Sequence, residues 1–162
     1  GVRYEDNFTS GGAADFPEAF KHKIKTLHYK TLRFVGHYNW VKEQLKTIGD
    51  VDNVSDVLED QMLNQIPSVE NDHIIIYCRV KGADQQGRLR SIDKTIHVYP
   101  QEVGSKTLRA IQSTTAAPLC ECARMLLKGE MKNGINLQSQ IDPKKFIEGP
   151  FIKMIYGDIF QD

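Results

Sequence analysis

Two runs of strict alternation around a glycine-bounded turn constrain this chain more than any other feature. In Asp72–Lys81, Ile74, Ile76, Cys78 and Val80 point one way, and Ile75, Tyr77 and Arg79 the other. Arg88–Tyr99 repeats the period, with Ile92, Ile96 and Val98 on one face. The polar stretch Gly82–Gly87 joins the two runs. This pattern predicts an antiparallel hairpin.

Helical periods flank the hairpin. Trp40, Val41, Gln44, Leu45 and Ile48 fall on one stripe that Gly49 ends, and Val54, Val57, Leu58, Met62 and Ile66 form a second that Pro67 breaks. From Ser113 the period is helical again, with Leu119, Cys122, Ala123 and Leu126 on one stripe and a stop at Gly129. Ile141–Tyr156 reads as helix despite its internal Gly-Pro, and a short helix is expected at Pro17–Lys21 with proline in its first turn. Phe8–Pro17 reads as a loop, because its paired glycines permit backbone angles that other residues resist. Lys23–Val35 reads as one long strand, with Leu27, Tyr29, Thr31 and Arg33 sharing a face. The expected class is α+β, a mainly antiparallel mixed sheet with helices on at least one face.

The bulk numbers narrow the function classes. With 162 residues, the chain can build one domain with a core or two small lobes. Lys+Arg and Asp+Glu both count 21, and the basic residues are spread out, which argues against nucleic-acid or membrane partners. No apolar run approaches a membrane span. Three cysteines are too few for a disulfide framework and fit a reducing, cytoplasmic setting. The opening Gly-Val-Arg-Tyr, without a start methionine, leads us to expect an excised piece of a longer polypeptide.

Arg33 closes the strand-like run just before Gly36, a common place for a ligand-facing side chain. Its planar fork suits a carboxylate, and Tyr29 and Thr31 point the same way; the competing reading is a solvated salt bridge. His37, at the start of a helix, is either an ordinary first-turn residue or a donor beside Arg33. Thr114 and Thr115 read as a cap before a helix at Ala116, or as a positive helix end facing an anion. Ser10 reads as a turn residue. The five histidines lack paired spacing, and Cys120 and Cys122 lie two apart on a helix, so their sulfurs diverge by roughly 200°; they read as small buried apolar side chains, and no metal is expected. No nucleophile elbow, Walker loop or dinucleotide fingerprint is present.

Three segments carry a resemblance. They are Phe8-Thr-Ser-Gly-Gly-Ala-Ala-Asp-Phe-Pro17, Lys25-Thr-Leu-His-Tyr-Lys-Thr-Leu-Arg-Phe-Val-Gly-His37, and Ala110-Ile-Gln-Ser-Thr-Thr-Ala-Ala-Pro118 running into a helix that ends at Gly129. In this order, with the tail 146–157, they resemble the saccharopine dehydrogenase family, and within it the bacterial saccharopine-dehydrogenase-like reductases. Val35 stands where that family often has proline.

The resemblance implies a portion of an NAD(P)-dependent oxidoreductase that makes or cleaves a secondary amine between an amino acid and a carbonyl compound. NAD or NADP would be held mainly by an N-terminal Rossmann domain absent from this sequence, so the fragment is expected to be inactive alone and to hold no catalytic residue. Residues 1–110 would form a substrate-binding and dimerisation domain, and 111–162 a helical segment packing on the Rossmann domain. Arg33 matches the arginine that holds a substrate carboxylate, and Gly11, Gly12 and His37 match positions lining that pocket. With Thr31, Tyr29, Thr114 and Thr115 they make up the expected substrate-binding set. The implied partners are a small amino acid, the Rossmann domain and a second copy of the chain. Two other classes compete: a non-catalytic module binding an amino acid or dicarboxylate, and a purely structural dimerisation domain built on the Asp72–Tyr99 hairpin.

Overall fold

The computed structural model describes residues 1–8 and 12–159. They form an α+β protein whose six helices accompany three separate two-stranded antiparallel sheets among the described residues. This corrects the expectation of a single mixed sheet. Contacts divide the chain into two compact units, 1–68 with 137–139, and 69–136 with 140–162. The expected boundary at 110/111 falls inside the second unit.

The first unit pairs β1 (Tyr4–Asn7) with β2 (Thr31–Phe34), with Glu5 opposite Arg33. The short helix α1 (Phe16–Phe20) lies between them in sequence. The strand expected over Lys23–Val35 shortens to four residues, because β1 offers only four to pair with. Helices α2 (His37–Ile48) and α3 (Val54–Gln65) follow at the expected places. Gly49 takes φ +75° after α2, a left-handed angle that favours glycine. Trp40, Val41, Gln44 and Ile48 of α2, with Val54, Val57, Leu58 and Met62 of α3, are half-buried. The Trp40 indole donates to Gln65 Oε1 at 3.2 Å. The Asp15 carboxylate accepts from the backbone N–H and the hydroxyl of Ser139, and these bonds hold it below the usual carboxylate range, the side-chain bond most. No described residue of this unit is fully buried.

The second unit contains the core. The predicted hairpin forms as β3 (Ile74–Ala83) and β4 (Leu89–Val98), with Ile74 opposite Val98, Ile76 opposite Ile96, and Val80 opposite Ile92. Asp84 closes its turn by accepting from the Arg88 backbone and from the Arg88 and Arg90 side chains, so its pKa is lowered, most by the backbone bond. A second hairpin, β5 (Gln101–Val103) with β6 (Lys106–Leu108), was not expected; its three-residue strands are too short to show a period. Helix α4 spans Ala110–Leu127, and α5 (Pro143–Ile147) and α6 (Pro150–Tyr156) replace the single helix expected over 141–156. The break falls at Gly149-Pro150, since proline suits a first helical turn and disrupts an interior one.

The buried face of α4 is Ala110, Ser113, Ala117, Glu121 and Met125, not the expected stripe of Leu119, Cys122, Ala123 and Leu126. Leu119 is 72% exposed. Cys120 is also exposed, which corrects its reading as a core residue, and Cys122 is half-buried. Small side chains on the buried face let α4 approach Ile152 and Ile155 of α6, and Val98 completes the cluster. Burial and the neighbouring Glu121 charge push the Cys122 thiol up. The Tyr156 hydroxyl donates to the Thr114 carbonyl at 2.8 Å, and burial raises its pKa.

Glu121 is fully buried, and its partners explain how. Its carboxylate takes Arg124 Nε at 2.6 Å and the Phe151 backbone N–H at 3.2 Å, which is an orphan donor at the start of α6. Arg124 also grips Glu130 through both terminal nitrogens, at 3.2 and 2.9 Å. That grip lowers the Glu130 pKa. A carboxyl group with a lowered folded pKa contributes stability above its unfolded value of about 4.3 and loses it as pH falls through the folded value. Glu130→Gln should therefore flatten the acid limb of urea stability between about pH 5 and pH 3. An unchanged slope would show that this bond does not couple to folding.

Among the described residues, no helix is long and apolar enough to cross a membrane.

Candidate functional site

The end of β2 is built by a short register and one glycine. Pairing places Arg33 opposite Glu5, and Gly36, at φ +99°, turns the chain into α2 one residue before His37. Glu5 then reaches across to accept the Tyr38 backbone N–H at 2.9 Å, satisfying an orphan donor at the start of α2. The Tyr38 hydroxyl donates to the Thr31 carbonyl at 2.8 Å, tying the helix start back to the strand. The protein's own carboxylate thus occupies the positive end of α2.

Arg33 is exposed, and its Nη1 donates to the neighbouring Leu32 carbonyl at 3.1 Å. It makes no ion pair among the described residues. The nearby Lys30, by contrast, is engaged with Asp6 at 2.8 Å and lies 5.3 Å from the Phe8 ring centroid. Tyr29 lies against Gly12: a Cβ on Gly12 would overlap the Tyr29 ring at Cζ. His37 is half-buried and packs edge-on against Tyr38, with ring centroids 5.5 Å apart. No hydrogen bond joins His37 to Arg33 among the described residues. Gly11 and Ser10 lie outside the described residues.

Thr114 and Thr115 belong to the second unit and sit inside α4, four and five residues beyond its first. Their hydroxyls donate back to the Ala110 and Ile111 carbonyls, both at 2.7 Å, so they do not cap the helix. The helix start is held instead by Asp72, whose two oxygens accept the backbone N–H groups of Ala110 at 2.5 Å and Ile111 at 2.8 Å, and by Gln112 Oε1, which accepts the Arg109 N–H at 2.9 Å.

Two cavities in the second unit hold about 580 Å³, beside Pro143, Lys144, Ile147 and Glu148, and about 160 Å³, among Ile76, Ile96, Phe146 and neighbours. Arg33 lines neither. No three His, Cys, Asp or Glu side chains converge on a metal position among the described residues. Two histidines that spacing did not pair do meet: His73 Nε2 and His97 Nδ1 lie 2.9 Å apart, and Tyr99 stacks on His73 at 4.3 Å.

Comparison with family models, curated proteins and solved structures finds no match to this chain.

Proposed function

We propose that this chain is the substrate-binding and dimerisation portion of an NAD(P)-dependent, saccharopine dehydrogenase-like oxidoreductase acting on a secondary-amine amino acid. The observation that carries the reading is Arg33: a guanidinium at a strand end, free of any acid among the described residues, on the same stretch as the Tyr29–Gly12 contact. Arg33 would clamp a substrate carboxylate, and His37 would add a hydrogen bond or help move a proton. Gly12 keeps the backbone low enough for the Tyr29 ring to lie over it. Residues suited to cradle a dinucleotide phosphate are missing from the sequence, so no hydride step is assigned to this chain. The nucleotide would be held in the cytoplasm by a Rossmann domain of the same polypeptide, whose surface would also cover the first unit.

The second reading is a non-catalytic module that binds an amino acid or dicarboxylate by itself. Such a module would need a closed pocket of its own around the anion, whereas the composite enzyme would complete the pocket with its second domain.

Titrating the intact polypeptide with saccharopine, lysine and carboxynorspermidine tests both. Losing one charged hydrogen bond costs about 1.5–3 kcal/mol, so Arg33→Lys should raise KM or Kd by roughly 10- to 150-fold. Unchanged KM and kcat would remove Arg33 from the site. Tight binding by the 162-residue chain without the rest of the enzyme would favour the module.

A further inference from the structure

The chain exposes 12,685 Å² at a mass of 18.4 kDa. A compact monomer of that mass exposes about 8,200 Å², and even two separate compact bodies of half the mass expose about 9,900 Å². The surplus, about 2,800 Å², is more than one chain contributes to a standard interface, about 800 Å².

Part of the surplus is the outer half of the β3–β4 hairpin. Every residue of β3 from Tyr77 to Ala83 is exposed, with Val80 at 71% and its cross-strand partner Ile92 at 74%. These two continue the face whose inner members, Ile74, Ile96 and Val98, pack in the core. Both edges of the hairpin are open: beyond its own turn, no backbone bond joins it to another segment among the described residues. A long open edge is a template for another strand.

We propose that a second copy of this chain pairs with β3 antiparallel, β3 against β3, about a two-fold axis at Cys78. This deepens the dimer of the proposed function and does not depend on which substrate binds.

The residues select this edge and this register. The turn bond from Asp84 N to the Arg88 carbonyl makes that pair hydrogen-bonded, so alternation directs the outer backbone groups of Ile75, Tyr77, Arg79 and Lys81 away from β4. Arg79 already lies 5.2 Å from its own Tyr77 ring centroid, and with the axis at Cys78 each Tyr77 also faces Arg79 of the second copy, so the two aromatic–cation pairs adjoin across the seam with no like charges opposed. Ile76 faces Val80 of the second copy. Ile76 also lines the cavity of about 160 Å³ with Ile96, Phe146, Ile147 and Ile152, so the exposed valine of each copy lands at the rim of an apolar hollow in the other. The other edge is set against itself. Self-pairing of β4 centred on Ile92 puts Arg90 against Lys94; centred on Asp93 or Lys94, it puts each against its own copy. A β3-to-β4 pairing would not close and would give open chains.

In this register Cys78 faces Cys78 as a non-hydrogen-bonded pair, with Cα atoms about 4.5 Å apart, inside disulfide reach. The experiment uses the whole chain with Cys120→Ser and Cys122→Ser, leaving Cys78 as its one thiol. Diamide takes two hydrogens from two thiols, becoming the hydrazine as the disulfide forms. Sedimentation in reductant should give a dimer, and diamide should convert most of it to a covalent dimer. Moving the thiol, by Cys78→Ser with Val80→Cys, separates the two sulfurs by four residues, about 13 Å, and should abolish cross-linking while the dimer persists. Val80→Lys should weaken the dimer about tenfold or more. A monomer at tens of micromolar, or equal cross-linking from positions 78 and 80, would overturn the proposal. A chain that cross-links at Cys78, in an intact polypeptide that ignores saccharopine, lysine and carboxynorspermidine, would leave this interface standing and sink the substrate reading alone.

Discussion

Replacing Glu121 with alanine should cost about 3–5 kcal/mol, the range for removing one partner of a buried, hydrogen-bonded charge pair. The side chain is 0% exposed and does three jobs at once. It fills space between α4 and α6, neutralises Arg124 at 2.6 Å, and accepts the Phe151 N–H that α6 cannot satisfy itself. Alanine leaves a cavity, a donor without an acceptor, and a guanidinium that keeps only Glu130. At about 2–4 °C per kcal/mol for a chain of this size, the midpoint of thermal unfolding should fall by roughly 6–20 °C. Glu121→Gln keeps the volume and an oxygen for Phe151 but loses the charge opposite Arg124, so its cost should be intermediate. A loss under about 1 kcal/mol for Glu121→Ala would mean that water or a shifted Arg124 replaces the carboxylate.

Three helices here owe their starts to acids far away in sequence. Glu5 caps α2 from 33 residues before, Asp72 caps α4 from 38 before, and Glu121 caps α6 from 30 before. Local caps also occur: at α5 Asp142 accepts from Lys144 and Lys145, and at the start of α4 Gln112 accepts the Arg109 N–H. The division between legible and illegible follows from this. The β3–β4 hairpin and helices α2 and α3 are long, and their apolar residues repeat at the right spacing, so periodicity located them. Local capping rules placed the α4 start at Ala116, six residues late, because one acceptor, Asp72, precedes a different element and the other, Gln112, follows an arginine at the cap position. The buried face of α4 was misjudged for a related reason. Hydrophobicity favours Leu119 and Leu126 over Glu121, but Arg124 one turn along and the distant Phe151 N–H satisfy the glutamate in the core.

The same limit applies at the candidate site. Arg33 and His37 stand out in sequence because a strand end, a glycine and a helix start are adjacent, whereas the Tyr29–Gly12 contact had no sequence signal. Glu5 and Tyr38 carried no signal: Glu5 lies in a four-residue strand with no visible period, and its partner is set only by the β1–β2 register. Yet these two shape the local electrostatics, since the Glu5 carboxylate sits at the start of α2.

Gly149 gives the sharpest test of the α4–α6 seam. Its φ of −66° is open to any residue, so backbone strain is not at issue. A Cβ there would instead overlap the Glu121 carboxylate, which is held from both sides by Arg124 and Phe151 and has nowhere to withdraw. Gly149→Ala should therefore expel the carboxylate from its place and cost nearly as much as losing it, about 3 kcal/mol. In a Glu121→Ala background the obstacle is gone, and the added methyl group enters the space the glutamate vacated. There the same substitution should be neutral or stabilising by up to about 1 kcal/mol, since it also fills part of the cavity and restricts the unfolded chain. The double-mutant cycle should thus show a coupling of about 3 kcal/mol by urea unfolding, far above the few tenths expected of independent sites. Additive costs would mean that the carboxylate does not lie over Gly149, and the long-range cap of α6 would fail with it.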